Sequence, residues 1–513
     1  MASTLLQMSD IVVRYGDLLA NDHVSFAVQH GEIHALLGEN GAGKTTLMKA
    51  LVGLVAPESG QIELNGQRVE IDSPVTALHL GIGMVHQHFM LIPSLTVAQN
   101  LCVGLRSAGR LFPDLKRVGR EMRDLAARYH FEIDPNERVG NLSVGQQQRV
   151  EIIKALYRGA RLLVLDEPTA VLTPQESENL FEIVRHLTAE GNGVIFISHK
   201  LNEVMTISDQ ITVLRAGKLI ETRAKSETTL EGLANAMVGR EVQLPVNTRA
   251  LDPKALEVLG LEGLRYTNPQ GVEMLRGIDL SVRAGEIHGI AGVDGNGQDE
   301  LARVLSGLLE ASAGQIWLDG ENITHASPAR RIRAGLAHIP ADRQRTALLM
   351  GRSLADNAVL EQISQKPFAR RGFLNGSAIR SYTRSLISSY DIRCQSIQQP
   401  VGTLSGGNQQ KLVLARALAR NPRLIIAVQP TRGLDIGATE YVHSALIEQC
   451  ARGCAVLLIS TELDEILALA NRVSVIYNGR LSAPLDRQTI TRDQLGLLMG
   501  GRTLDDPLSR QTP

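Results

Sequence analysis

The run Leu162-Leu163-Val164-Leu165-Asp166-Glu167-Pro168 returns 262 residues later (428 − 166) as Leu424-Ile425-Ile426-Ala427-Val428-Gln429-Pro430, with both acids gone. Around it the rest of the chain repeats too. Gly31-Glu32-Ile33-His34 returns as Gly285-Glu286-Ile287-His288, Gly60-Gln61-Ile62 as Gly314-Gln315-Ile316, and Leu142-Ser143 as Leu404-Ser405. The offset is 254 (298 − 44) early in each copy and 262 (404 − 142) from the Leu-Ser pair onward, so eight residues entered between Ala341 and Leu404. A repeat this long means two whole domains rather than a solenoid, whose period would be roughly 20 to 50 residues.

Length and composition fit that division. A chain of 513 residues with 43% apolar content has enough material for two to four cored domains. Net charge is −1 and aromatics are 3%, so neither a cationic field nor a stacking platform for nucleic acid is present. The first ten residues lack the basic flank and apolar stretch of a signal peptide. Nowhere do about 18 apolar residues run together, so any membrane role is expected to come through a partner. Cys102, Cys394, Cys450 and Cys454 have no metal-ligand spacing and read as reduced structural thiols, the last two at a helix surface and a strand start.

Gly38-Glu39-Asn40-Gly41-Ala42-Gly43-Lys44-Thr45-Thr46 follows the apolar stretch Ile33 to Leu37 and precedes the periodic Leu47, Leu51 and Leu54. That pattern predicts strand, loop, helix. Glycines let a backbone wrap so that its amides converge on phosphate oxygens, and the helix N-terminus adds a positive dipole end. Lys44 supplies a point charge for the β and γ phosphates, and Thr45 a hydroxyl for Mg²⁺. Asp166, ending a buried strand, is placed to hold the Mg²⁺ shell, and Glu167 to polarise an attacking water. Gln87 and His199 are read as lining the γ-phosphate through their positions alone, with Gln87 also toward Mg²⁺. Tyr15, 29 residues before Lys44 (44 − 15), is either a face for adenine to stack on or a packed strand aromatic.

With Leu404-Ser405-Gly406-Gly407-Asn408-Gln409-Gln410 added to these motifs, the chain resembles the ATPase subunit of an ATP-binding cassette transporter, from about Leu5 to Arg502. The resemblance implies an α/β fold of two tandem P-loop NTPase (RecA-like) domains, each with an inserted helical subdomain, roughly Val97 to Val139 and Leu354 to Val401. The boundaries read as domain one at 5–240, a linker at 241–254, domain two at 255–502, and a loose polar tail at 503–513. It also implies head-to-tail pairing, with each ATP between one domain's P-loop and the other's signature.

The two copies are damaged in a complementary way. The second P-loop, Gly292 to Glu300, keeps its glycines but has Gln298 for the lysine and then Asp299 and Glu300. An acid about 4 Å from a phosphate repels it by roughly 4 kcal/mol at an effective dielectric near 20. Ala341 stands for Gln87, Val428 for Asp166, Gln429 for Glu167 and Thr461 for His199. The first copy has the poorer signature: Val144 replaces the glycine at Gly406, and Thr173 stands where the second copy has Asp435. Under head-to-tail pairing, the intact P-loop meets the intact signature residues Ser405, Gly406, Gly407 and Asn408, with Asp435 beside them. One competent ATP site and one structural site follow.

Two fused cassettes with the second degenerate resemble the simple-sugar and nucleoside import branch, and the stretches from Gly81, Gly292 and Gln429 look most like its nucleoside ATPases. Ala341 and Asp299 depart from the Glu and Ser usual there. The resemblance implies an ATP-hydrolysing, Mg²⁺-dependent subunit at the cytoplasmic face of the cell membrane, powering import of nucleosides or, alternatively, a pentose or other simple sugar. Its partners would be two membrane permeases, best suited to a heterodimer, and indirectly an external solute-binding lipoprotein, with no nucleic acid. Phe89, Met90 and Leu91 are candidate permease contacts. Soluble ribosome-associated tandem cassettes are the remote alternative; they resemble a pattern of two intact centres and a long charged interdomain helix pair.

Overall fold

The computed structural model describes residues 3–86, 89–104, 114–129, 131, 133–169, 172, 174–241 and 244–502. It divides into two compact units, Met1–Val242 and Gln243–Pro513.

In the first unit a six-stranded sheet runs in the order Lys218–Ala224, Gln210–Arg215, Ile33–Leu37, Gly193–Ser198, Leu162–Asp166, Ile82–Val85. All its neighbours are parallel except the first pair. Every residue of Ile33–Leu37, Leu162–Asp166 and Gly193–Ser198 is buried. That is why these strands read as unbroken apolar runs: a parallel sheet is covered on both faces. A second, antiparallel sheet is built from Leu18–Gln29, Thr4–Tyr15, Ser59–Leu64 and Gln67–Val69.

The second unit repeats the plan. Its main sheet runs Leu336–Ile339, Leu424–Val428, Ala455–Ser460, Ile287–Ala291, Arg472–Tyr477, Arg480–Leu481, and Glu273–Arg283, Glu257–Thr267, Ala313–Leu318 and Glu321–Asn322 form the antiparallel partner. Both units carry the expected helical insertion, as Val97–Cys102 and Leu115–Arg128 in the first and Leu354–Ala358 and Gly376–Ser389 in the second. The offset between matching helix starts grows from 257 (354 − 97) to 261 (376 − 115) within the insertion. The second insertion holds a two-stranded hairpin, Ala369–Arg370 with Phe373–Leu374, between its two helices.

Residues 244–254, marked from composition as linker, are held against the second unit. Asn247 is buried, with its amide and side chain donating to the carbonyls of Ala468 and Leu469, and Arg249 donates to Ala451. Cys450 is buried rather than at a helix surface, its thiol donating to the Gly285 carbonyl at 3.0 Å, because it lies on the inward face of Ile436–Ala451. Cys454 is buried directly before strand Ala455–Ser460, and all four cysteines are free.

The second unit contains a fully enclosed cation. Arg331 donates to the carbonyls of Ala326, Thr324, Val304 and Leu305 at 2.7 to 3.0 Å, the last two at the negative end of helix Gln298–Leu305. Its register partner in the first unit is Ala77. Arg331→Met should destabilise the second unit by on the order of 3 kcal/mol, since it strands four buried acceptors. The single tryptophan, Trp317, lies in that unit and reports it alone in urea unfolding.

Candidate functional site

In the first unit the strands Ile33–Leu37, Gly193–Ser198 and Leu162–Asp166 are adjacent and in register, with Leu37 opposite Ser198 and Asp166 opposite Ile197. Their C-terminal ends therefore share one edge of the sheet, where an open α/β fold binds ligands. Three of the sequence motifs leave from that edge: the glycine loop, the acid pair and His199.

The glycine loop needs glycine at position 43 for two reasons. Its φ of 101° disfavours a side chain, and a Cβ there would lie 2.4 Å from the carbonyl of Ala20. Buried Asn21 on the same neighbouring strand donates to the Gly43 carbonyl, so the strand that starts at Leu18 braces the loop. Tyr15 stands at the other side of that hairpin, 47% exposed, so it presents a ring to solvent instead of packing inside. At the same spacing before Gln298 the second copy has Pro269.

Lys44 is 6% exposed, and its Nζ donates to the carbonyls of Gly38 and Glu39 at 2.6 and 3.0 Å. Burial pulls its pKa down, opposed by the charges of Glu167, Asp166 and Glu39. The Thr45 hydroxyl lies 3.5 Å from Asp166 Oδ2. Burial, and then the neighbouring Glu167 charge, push Asp166 up. Burial also pushes Glu167 up, but the His199 hydrogen bond and the charges of His199, Lys44 and Lys200 outweigh it and leave this carboxyl below its ordinary value. Adjacent acids are thus shifted in opposite directions by their surroundings. His199 Nδ1 donates to Glu167 Oε1 at 2.9 Å. Glu167 itself has a φ of +47°, which turns its side chain out of the strand line; Gln429 repeats this at +43°.

Gln87 and Thr173 lie outside the described residues. Of the three apolar residues after Gln87, Met90 is 64% exposed, Phe89 is half-buried and Leu91 packs on the core. The segment is pinned by Glu151, which accepts from the Met90 amide.

The second unit uses the same scaffold with different side chains at the matching positions. Gln298 takes the buried place of Lys44 and keeps one of its loop bonds, Nε2 donating to the Val293 carbonyl at 2.7 Å as Lys44 does to Glu39, but its Oε1 also accepts from the Asn296 amide at 3.0 Å. One amide that a phosphate would need is thereby occupied. Gln429, at the Glu167 position, donates to Asp294 Oδ1 of the same loop at 2.7 Å. Asp299 replaces Thr45, points outward and pairs with Arg303 at 3.5 Å.

Ser405, Gly406, Gly407 and Asn408 open the helix Gly406–Leu418, with Ser405 as its cap and Asn408 Nδ2 donating to Ser405 Oγ at 2.9 Å. Gly406 is not in the left-handed region; a Cβ there would lie 2.8 Å from Arg343 Nη2, so what glycine supplies here is room for that guanidinium beside the helix end, not torsional freedom. In the first unit Val144 covers the same place, 41% exposed. Asp435 caps Ile436–Ala451 by accepting from the Ala438 amide at 2.7 Å.

Some supporting residues escaped the motif reading. Gln148 donates to the Pro168 carbonyl and Gln410 to Pro430, tying each signature helix to the segment after the acid pair. Thr169 donates to Glu203, and Thr431 to Glu465, in the same way. Their signal in the sequence was identity between the two copies at positions with no catalytic chemistry.

The sequence pattern of the family described as "ABC transporter" matches residues 21–170 and again 275–432. This chain belongs to the ABC transporter family. As a family member with this nucleotide site it is an ATPase. It is similar to the nucleoside import ATP-binding protein NupA of Lactococcus lactis subsp. cremoris, 44% identical over 98% of this chain and 99% of that one. It is likewise similar to the guanosine import ATP-binding protein NupO of Bacillus subtilis, 47% identical over 97% and 98%. The glucose import ATP-binding protein TsgD13 of Haloferax volcanii is 43% identical over 97% and 96%. Among solved structures, the archaeal ribosome recycling factor aABCE1 in complex with stalk protein aP1 matches with a TM-score of 0.62 over 93% of this chain and 90% of that one. At 19% identity that likeness concerns the fold alone.

Proposed function

We propose that this ABC family member powers the import of a small polar solute, a nucleoside first, by hydrolysing ATP at one competent site. The observation that carries the reading is the contrast between the Glu167–His199 pair beside Lys44 and, in the second unit, Gln298 holding the Asn296 amide with Gln429 bonded to Asp294. ATP and water become ADP and phosphate, and each described residue has a task. Lys44 faces the phosphates, and Tyr15 offers its exposed ring to adenine. Glu167, ionised at neutral pH, orients the water and takes its proton, while His199 holds that carboxylate in place.

Thr45 Oγ1 and Asp166 Oδ2 are hard oxygen donors 3.5 Å apart, a set that fits Mg²⁺ with waters and phosphate oxygens completing the shell. Gln87 belongs to the same proposal. When bound, the ion offsets phosphate charge.

Ser405, Gly406, Gly407, Asn408 and Asp435 are proposed to complete this site, and the domain limits 5–240 and 255–502 to mark the two halves. No helix among the described residues is long and apolar enough to cross a membrane. The proposed partners are therefore two permeases at the cytoplasmic face of the membrane, fed by an external binding lipoprotein, with one fused chain per transporter. Nucleosides are favoured by the names of NupA and NupO; a simple sugar is the second reading, favoured by TsgD13.

The deciding experiment is uptake of radiolabelled nucleosides, and separately of pentoses and glucose, in cells whose only copy of this chain is Glu167→Gln. Loss of nucleoside uptake alone is expected. Loss of sugar uptake alone would overturn the solute, and loss of neither would overturn the importer reading.

A further inference from the structure

The helical insertion of the second unit carries a surface that catalysis does not use. Between Gln362 and Tyr390 the chain has five cations, Lys366, Arg370, Arg371, Arg380 and Arg384, and no acid. All five are exposed, and none forms an ion pair with a described residue. Elsewhere in this chain exposed arginines commonly pair, as Arg330 does with Glu321 and Arg492 with Asp464. The net charge of −1 makes this local excess the more unusual.

Within this stretch lies the hairpin Ala369–Arg370 with Phe373–Leu374. Two phenylalanines lie five residues apart, with opposite fates. Phe368 is 3% exposed, packed edge-on against Tyr382 at 5.0 Å between centroids, and its carbonyl accepts from the Asn375 amide. Phe373 is 82% exposed and Leu374 59% exposed. The hairpin is thus anchored at its base and presents apolar side chains at its tip. Arg370 pairs directly with Phe373, so a cation and an aromatic ring share one face. The two-residue turn is Arg371-Gly372, with φ of 49° and 84°. Such turns favour Asn or Asp before the Gly; arginine is a poor choice for that torsion, yet here it adds a charge at the apex.

We infer that this hairpin binds the surface of an anionic phospholipid membrane directly, with Phe373 and Leu374 entering the headgroup boundary and the five cations meeting lipid phosphates. Ring and aliphatic tip flanked by guanidinium groups is the composition of an interfacial anchor. Five cations with no acid among them, beside an exposed ring and an exposed leucine, complement an anionic lipid surface in both charge and apolar character. This combination favours lipid over RNA, since the exposed Leu374 beside the ring adds apolar area that a headgroup boundary buries and a stacked base does not need. The contact is independent of any permease and of ATP turnover.

The test is sedimentation of the purified full chain with vesicles of phosphatidylcholine, with and without phosphatidylglycerol, at low salt. Binding is expected only with phosphatidylglycerol and should weaken as salt rises. Each cation near an anionic surface is worth about fivefold in partitioning, so R370E/R371E should lose about twentyfold or more. R370K/R371K should retain binding, and F373S should lose about tenfold. ATP hydrolysis by the variants in solution should match that of the unaltered chain, which controls for folding. No binding to phosphatidylglycerol vesicles, equal binding to both vesicle types, or full binding by R370E/R371E would each overturn the inference. So would equally tight capture of an RNA oligonucleotide with the same dependence on Arg370 and Arg371, because the surface would then read polyanions in general.

Discussion

Replacing Glu167 with glutamine is expected to reduce steady-state ATP hydrolysis by about 10² to 10⁴-fold while ATP still binds. The substitution keeps shape and removes the proton acceptor. A carboxylate held below its ordinary value by His199 is ionised at neutral pH and can accept a proton from water, whereas the amide cannot. Binding should survive, since Lys44 and the glycine loop are untouched. The reciprocal change is informative as well. Gln429→Glu should restore nothing in the second unit, because Gln298 still occupies the loop amide and Val428 still replaces the acid. It would also set two carboxylates against each other where Gln429 now bonds Asp294 at 2.7 Å. Phosphate release and ATP binding by the purified chain check both statements; normal turnover in Glu167→Gln would remove the assigned base.

The second large effect concerns the proposed pairing of halves. Ser405→Arg should lower turnover nearly as far as Lys44→Ala, by about 10²-fold or more, and Ser143→Arg should cost little. The asymmetry rests on local structure. Ser405 heads a helix whose first two residues, Gly406 and Gly407, carry no side chain, so the bulk of a long side chain at 405 crowds an anion's approach to the amides. In the first unit Val144 already covers the matching end. Equal damage from the two substitutions would show that turnover does not depend on which signature is intact. Since each serine is also a helix cap, both variants carry a similar capping loss of about 1 kcal/mol, and the comparison cancels it.

Much of this molecule was legible before any coordinates. Duplication followed from the repeated runs and loops, the α/β fold and both helical insertions from the family resemblance that those motifs carry, and the central strands read as apolar runs because a strand buried on two faces has no freedom in composition. That Lys44, Thr45, Asp166, Glu167 and His199 meet at one edge of the sheet was legible for a related reason: each motif directly follows a buried strand or ends one, and those strands are adjacent and parallel. What the sequence could not supply was the direction of side-chain hydrogen bonds. Loss of lysine at Gln298 was plain, but only the tertiary structure has it folding back to fill its own loop, and has Gln429 bonding that loop through Asp294. Likewise composition gave residues 241–254 as a linker, and only packing decided that Asn247 within it is buried against the second unit. Arg331 and Phe373 make the same point from opposite ends. An arginine became a core residue because four carbonyls converge on it, and a phenylalanine became a surface residue because a tight turn carried it past the last packing partner. Sequence fixes which groups a chain owns; where each can find a partner depends on contacts between residues far apart in the chain.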